Sequence, residues 1–251
     1  MSVERRLWSR DELILAFNLY CKLPFTKINH RNADVIELAG LLGRTPSSVA
    51  WKLANYARLD PELAKRNVRG ATHGSKAEIE IRREFENDWE NLAFLGEKLR
   101  AELEGKSLQA DITELPPGID RLANIKTRVN QSFFRSAVLA AYEGSCCITG
   151  INDQRLLCAS HIVPWAADSS CRTNPRNGLC LNAFHDRAFD RGLITVTKDY
   201  CVAVSSTIKA TKNPTIQDWL LEFDGSPLRM PRQFMPKLEF LAYHRQHVYQ
   251  K

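Results

Sequence analysis

Three short runs in the second half of the chain hold residue types that can move a proton or hold an ion. The first is Cys146-Cys147-Ile148-Thr149-Gly150 and the second Ala159-Ser160-His161-Ile162-Val163-Pro164. The third is Asn174-Pro175-Arg176-Asn177-Gly178-Leu179-Cys180-Leu181, followed by His185-Asp186-Arg187-Ala188-Phe189-Asp190-Arg191-Gly192. Imidazole titrates near neutral pH, so a histidine can take a proton from water or offer a nitrogen to a metal. A lone histidine on a strand is more often structural, and Asn174 and Asn177 also read as turn residues. The combination carries the weight.

In order, spacing and flanking residues these runs resemble the HNH (ββα-metal) endonuclease family. Within it they resemble the bacterial restriction-type subgroup, with its (Ala/Ser)-His-Ile first motif and final His-x-x-x-Phe-Asp-x-Gly. The lead-in Arg128-Val129-Asn130-Gln131-Ser132-Phe133-Phe134-Arg135 is similar too, and the likeness covers residues 116–208. It implies a metal-dependent endonuclease that hydrolyses double-stranded DNA to 5′-phosphate and 3′-hydroxyl ends, in restriction or phage defence. It also implies His161 as general base, Asn177 as brace of the loop that orients the base, and His185 as metal ligand. Asp190 is a second candidate ligand, set against a capping role, and Asp186 a weaker one. Ser160 stands where many members have an acid or a histidine, and would serve an ion only through water. Arg176, Arg187 and Arg191 either touch phosphates or form a solvated face.

The chemistry agrees with that resemblance. Phosphodiester hydrolysis needs an activated water, neutralised phosphate charge and help for the leaving oxygen, which a near-neutral histidine and a divalent ion supply. Mg²⁺ or Mn²⁺ is expected, since Zn²⁺ or Ni²⁺ would ask for more nitrogen ligands. Ser160 supports the main alternative, a DNA-binding regulator with an inactive HNH domain. An RNA nuclease is weaker, because no aromatic stacking platform stands out.

The fold class these residues require is α+β. Helical periodicity over 131–142 ends at Gly144, and β-type runs follow at 156–162, 178–181, 193–197 and 202–205. A helix over 183–189 completes strand, strand, helix, the ββα unit. The C-terminal domain is placed at 119–251, with little functional content expected from 216 to 241.

Two further segments precede it. In 1–66, Ser9 and Glu12 form a capping box before a helix with Leu13, Ile14, Leu15, Phe17 and Tyr20. A second helix over Ala33–Leu42 stops at Gly43, and Thr45-Pro46 opens a third. This reads as a trihelical, helix-turn-helix-like module, also similar in pattern to Myb/SANT modules. Val49, Leu53 and Tyr56 face inward; Ser47, Ser48, Lys52 and Asn55 are expected outward, where they would contact DNA. The alternative is a bundle that only packs on the rest of the chain. Segment 67–118 is read as a helical connector: a linker from Arg69 to Ser75, one long charged helix over 76–104 serving as spacer or homodimer contact, and a turn at 115–118.

Composition sets outer limits. The 251 residues carry a net charge of +6 and a pI near 9.0, which suits a polyanionic partner without requiring one. No apolar run approaches membrane-spanning length, and no apolar stretch backs the N-terminus as in a signal peptide. Seven cysteines without a Cys-x-x-Cys pair suggest reduced thiols in a cytoplasmic protein with no membrane partner.

Overall fold

Ser9 accepts from the Glu12 backbone N–H while the Glu12 carboxylate accepts from the Ser9 N–H, and this reciprocal cap opens α1, Arg10–Lys22. The structure, a computed structural model, describes residues 6–65, 75–107 and 121–251. The expected linker residues 69–74, the turn at 115–118 and both expected segment borders lie outside the described residues. Asn32 caps α2, Ala33–Leu42, which stops at Gly43 with φ 59°, a conformation glycine adopts without a Cβ penalty. Thr45 caps α3, Pro46–Arg58, with Pro46 in its first turn, and α4, Pro61–Lys65, follows.

The expected long charged helix is two helices, α5, Lys76–Phe85, and α6, Trp89–Leu103. Asp88 makes the break, because its side chain accepts from the Asn91 N–H and starts a helix afresh. Nor is this segment a free-standing connector. Both helices pack on α1, and the chain divides into two compact units, Met1–Ser132 and Phe133–Lys251. In the first unit the Phe17 ring lies 4.8 Å from Tyr56 and 6.1 Å from Trp89, with Ile14, Leu53, Phe85 and Leu92 buried around them.

Packing of α5 also corrects the expected outward face of α3. Val49, Leu53 and Tyr56 are buried as expected, but so are Lys52 and Asn55. Glu78, the residue whose carboxylate caps α5 by accepting from the Ser75 N–H, is fully buried; it pairs with the Lys52 ammonium and accepts from Asn55 Nδ2 at 3.0 Å. Lys52 also lies over the Trp8 ring, 5.0 Å from its centroid. Ser47 remains exposed, and the large outward residue is Trp51, 60% accessible.

The second unit begins inside α7, Arg121–Ala141. A turn over 142–151 leads to β1, Leu157–His161, which pairs antiparallel with β2, Gly178–Asn182, so that His161 faces Gly178 and Leu157 faces Asn182. Asn182 caps α8, Ala183–Asp190, which folds back on both strands. The ββα unit is therefore present at the expected positions. A second hairpin follows, β3, Ile194–Val196, with β4, Val202–Val204. Then come α9, Ser206–Lys209, α10, Pro214–Leu220, and α11, Leu238–His247. The last of these lies against β3, and its His244 stacks on Phe189 of α8 with ring centroids 3.7 Å apart.

The buried Lys52–Glu78 pair yields a test. Removing one partner of such a pair strands the other charge, at a cost of about 3–5 kcal/mol. Glu78→Leu is expected to lower the unfolding free energy in urea by about that much. Lys52→Met should cost less, since Asn55 and the Ser75 N–H still hold the carboxylate. Equal losses well under 1 kcal/mol for both, about what a solvated surface pair gives, would contradict a buried pair.

Candidate functional site

His161 ends β1 half-buried, and its Nε2 lies 2.8 Å from the Arg172 carbonyl oxygen. A carbonyl only accepts, so Nε2 carries the hydrogen and Nδ1 of the neutral ring keeps a free lone pair. Burial is the main cause that lowers the imidazole pKa below its ordinary 6.5; the Arg172 carbonyl and the Asp186 carboxylate act the other way. Burial thus favours the neutral ring.

Asn177 shapes the loop that supplies this carbonyl. Its Oδ1 accepts from the Val163 N–H at 2.8 Å, and its Nδ2 donates to the Val163 and Cys171 carbonyls at 3.1 and 3.3 Å. The side chain is fully buried, and its own carbonyl accepts from Ile162 N–H. One amide therefore fixes the residue pair after His161 and the residue before Arg172. Asn174 caps the short turn at Pro175–Asn177 by accepting from Arg176 N–H, a turn role.

On α8 the structure separates His185 from the acids. Asn182 Oδ1 accepts the N–H groups of Phe184 and His185, while its Nδ2 donates to His185 Nδ1 at 2.8 Å. His185 Nε2 in turn lies 2.8 Å from the Trp219 carbonyl, so both ring nitrogens are engaged and the side chain is buried. Asp186 and Asp190 instead stand one turn apart on the helix, the i,i+4 spacing that shares a face. Burial first, then Asp186, pushes the Asp190 carboxyl up. Burial first, then the charge of the Asp186 carboxylate, raises the Cys158 thiol. Ser160 shares the Cys158 face of β1 but is buried, with no partner for its Oγ among the described residues.

The cations around these groups differ in freedom. Arg187 and Arg191 are exposed at the end of α8, and exposed Arg135 on α7 has no ion pair among the described residues. The Arg176 guanidinium reaches the Met235 carbonyl at 3.4 Å, so a phosphate would have to compete for it. In the first unit, Ser47 is exposed and Ser48 half-buried, whereas Lys52 and Asn55 are held by Glu78. Sequence reasoning missed Arg172, whose only relevant group is a carbonyl, and Phe134, which read as one more apolar helix position. It measured spacing from His185 and so weighed Asp190 above Asp186, which the structure sets one turn before Asp190 on α8.

A family model described as HNH endonuclease matches residues 146–197. Among solved structures, one titled "Modification dependent TagI restriction endonuclease" is similar with 20% identity and a TM-score of 0.32, covering 46% of this chain and 37% of that one. The match therefore spans little more than a third of that chain. No curated protein matches. No helix among the described residues is long and apolar enough to cross a membrane.

Two tests follow from these hydrogen bonds. Mn²⁺ titration by calorimetry should show affinity falling about tenfold or more for Asp186→Asn, while His185→Gln lowers the melting temperature and leaves Mn²⁺ affinity within about twofold. The reverse pattern would assign the ligand role to His185. The second test is acid stability. Burial holds His244 down to about 4, against 6.5 when unfolded, and lowers His185 as well. Between those two values the unfolded chain binds protons that the native one does not. Stability is complete above about 6.5 and falls as pH drops toward 4. His244→Leu should flatten that acid limb in urea melts, and an unchanged slope would exclude His244 as a contributor.

Proposed function

We propose, from the match of residues 146–197 to the HNH endonuclease family model, that this chain hydrolyses phosphodiester bonds of double-stranded DNA in restriction or phage defence. One observation carries the reading: the His161 Nε2–H is fixed on the Arg172 carbonyl, which leaves Nδ1 without a partner among the described residues, and the Asp186 carboxylate of α8 is near enough to act on the ring. The net charge of +6 and an exposed Arg135 without an ion pair among the described residues favour a polyanionic substrate. Seven free thiols suit a reducing cytoplasm.

The family implies a divalent ion. Asp186 and Asp190 fit one, as an oxygen pair whose mutual repulsion a hard cation such as Mg²⁺ or Mn²⁺ would relieve, with water filling its other positions. His185 does not fit, because an ion would have to displace Asn182 or the Trp219 carbonyl. When bound, the ion would stabilise charge developing on the phosphate and the leaving oxygen. The chain's own residues perform the rest. His161 Nδ1 takes the proton of the attacking water, and the Arg172 carbonyl stabilises the imidazolium that results. Asn177 keeps that carbonyl in place, and Arg135 and Arg187 neutralise neighbouring phosphates.

A second reading has one observation behind it. No group of three or more His, Cys, Asp or Glu side chains stands ready for a metal among the described residues. A DNA-binding protein with an inactive domain would look the same. Plasmid nicking with added Mg²⁺ or Mn²⁺, abolished by EDTA, decides for the nuclease; tight DNA binding without cleavage under either ion decides for the regulator.

His161→Ala is expected to cut the nicking rate at least ~10²-fold with DNA affinity unchanged. The wild-type rate should climb with pH and level off at a midpoint below 6.5, because burial has lowered the base's pKa and only the neutral ring accepts a proton. A near-wild-type rate for His161→Ala, or a rate that falls across that interval, would exclude His161 as the base.

A further inference from the structure

Phe134 lies flat on the His161 imidazole, with ring centroids 3.7 Å apart and planes 10° from parallel. Trp165 meets the same imidazole edge-on at 5.4 Å and 84°. Phe134 is 2% exposed on α7, next to the buried Ala137 and Val138. The contact exists only because of Gly178. That residue sits opposite His161 in the β1–β2 register, and a Cβ there would fall 2.3 Å from Val138 Cγ2 and 3.0 Å from Phe134 Cζ. With no side chain at 178, α7 comes close enough for the phenyl ring to pass over β2 and reach the imidazole.

We infer that Phe134 is the positioning residue of the His161 base. Resting on the nuclease reading above, this inference assigns a task that the other contacts leave undone. The hydrogen bond from Nε2–H to Arg172 fixes one direction of the imidazole, but the ring can still turn about that N–H···O line. A flat apolar surface against one face, with an aromatic edge beside it, stops the turn. Nδ1 then points one way, and the hydrogen stays on Nε2. A misplacement of the order of an ångström in a reacting group costs roughly 10²-fold in rate, so the plane of the ring matters as much as its basicity. An aliphatic residue at 134 would fill the space and supply no plane.

The test uses the full chain and three variants. Phe134→Leu is expected to lower kcat for plasmid nicking about tenfold or more with KM little changed, the split that marks loss of an interaction made in the transition state. Phe134→Met, whose unbranched side chain adapts to an irregular space, should do the same and serves if the Leu variant is too unstable. Phe133→Leu removes a buried phenyl from the adjacent position and should leave kcat within about twofold at a similar loss of melting temperature. The second readout is independent of cleavage. In ¹⁵N spectra of the imidazoles, at a pH where His161 is neutral, the wild type should show the Nε2–H tautomer alone and the Phe134 variants a mixture. A folded Phe134 variant that keeps both kcat and the single tautomer overturns the inference. If the wild type cleaves nothing, the nuclease reading has failed, and the tautomer comparison still decides whether Phe134 holds the ring.

Discussion

The carboxamide of Asn177 sits wholly inside the loop that joins β1 to β2, and the reactive geometry depends on it. Both main-chain groups of Val163 and the carbonyl of Cys171 have this side chain as a partner. Leaving such buried groups unpaired costs about 1–3 kcal/mol each, which is ample to open a loop that has no ladder of its own. With the loop closed, the Arg172 carbonyl is delivered to His161. With it open, the imidazole loses the acceptor that fixes its tautomer. The residue after Asn177 serves the same end by other means: Gly178 admits Phe134 and Val138 to the surface of β2. Two consecutive residues thus act on the two sides of one histidine, the first through hydrogen bonds and the second by having no side chain.

The ββα order was legible in the sequence because each part has a local signal. Asn182 before an apolar–polar helix, the strand runs around His161 and Gly178, and the stop at Gly192 all act within a few residues. The caps at Ser9, Asn32 and Thr45 were legible for the same reason. What the sequence hid depends on partners distant in the chain. Lys52 and Asn55 look like an exposed polar face until Glu78, 26 and 23 residues away, draws them inward. His185 looks free to offer a nitrogen until the Trp219 carbonyl, 34 residues on, is seen beside its Nε2. Phe134 looks like core until His161 is seen beneath it. The missed break at Asp88 is different, since a single capping side chain can interrupt a run whose periodicity continues across it.

Three histidines in the second unit follow one pattern, and their differences explain why one of them is reactive. Each places Nε2 near a main-chain carbonyl: Arg172 for His161, Trp219 for His185 and Phe189 for His244. Two of them stack on a phenylalanine at 3.7 Å, His161 on Phe134 and His244 on Phe189. Stacking and tautomer therefore do not by themselves make a base. Nδ1 decides: Asn182 donates to it in His185 and the Thr195 hydroxyl lies 2.8 Å from it in His244, so both rings are saturated inside the core. Burial lowers all three pKa values and so favours each neutral ring, but a neutral ring whose lone pair is already bound has nothing to offer a water molecule. His161 joins burial that holds it neutral to enough exposure that Nδ1 stays open. A base of this kind must be held as firmly as a core residue on every side but one. The carbonyl, the phenyl face and the indole edge account for the held sides, and Asp186 of α8 lies near enough to be felt by the ring.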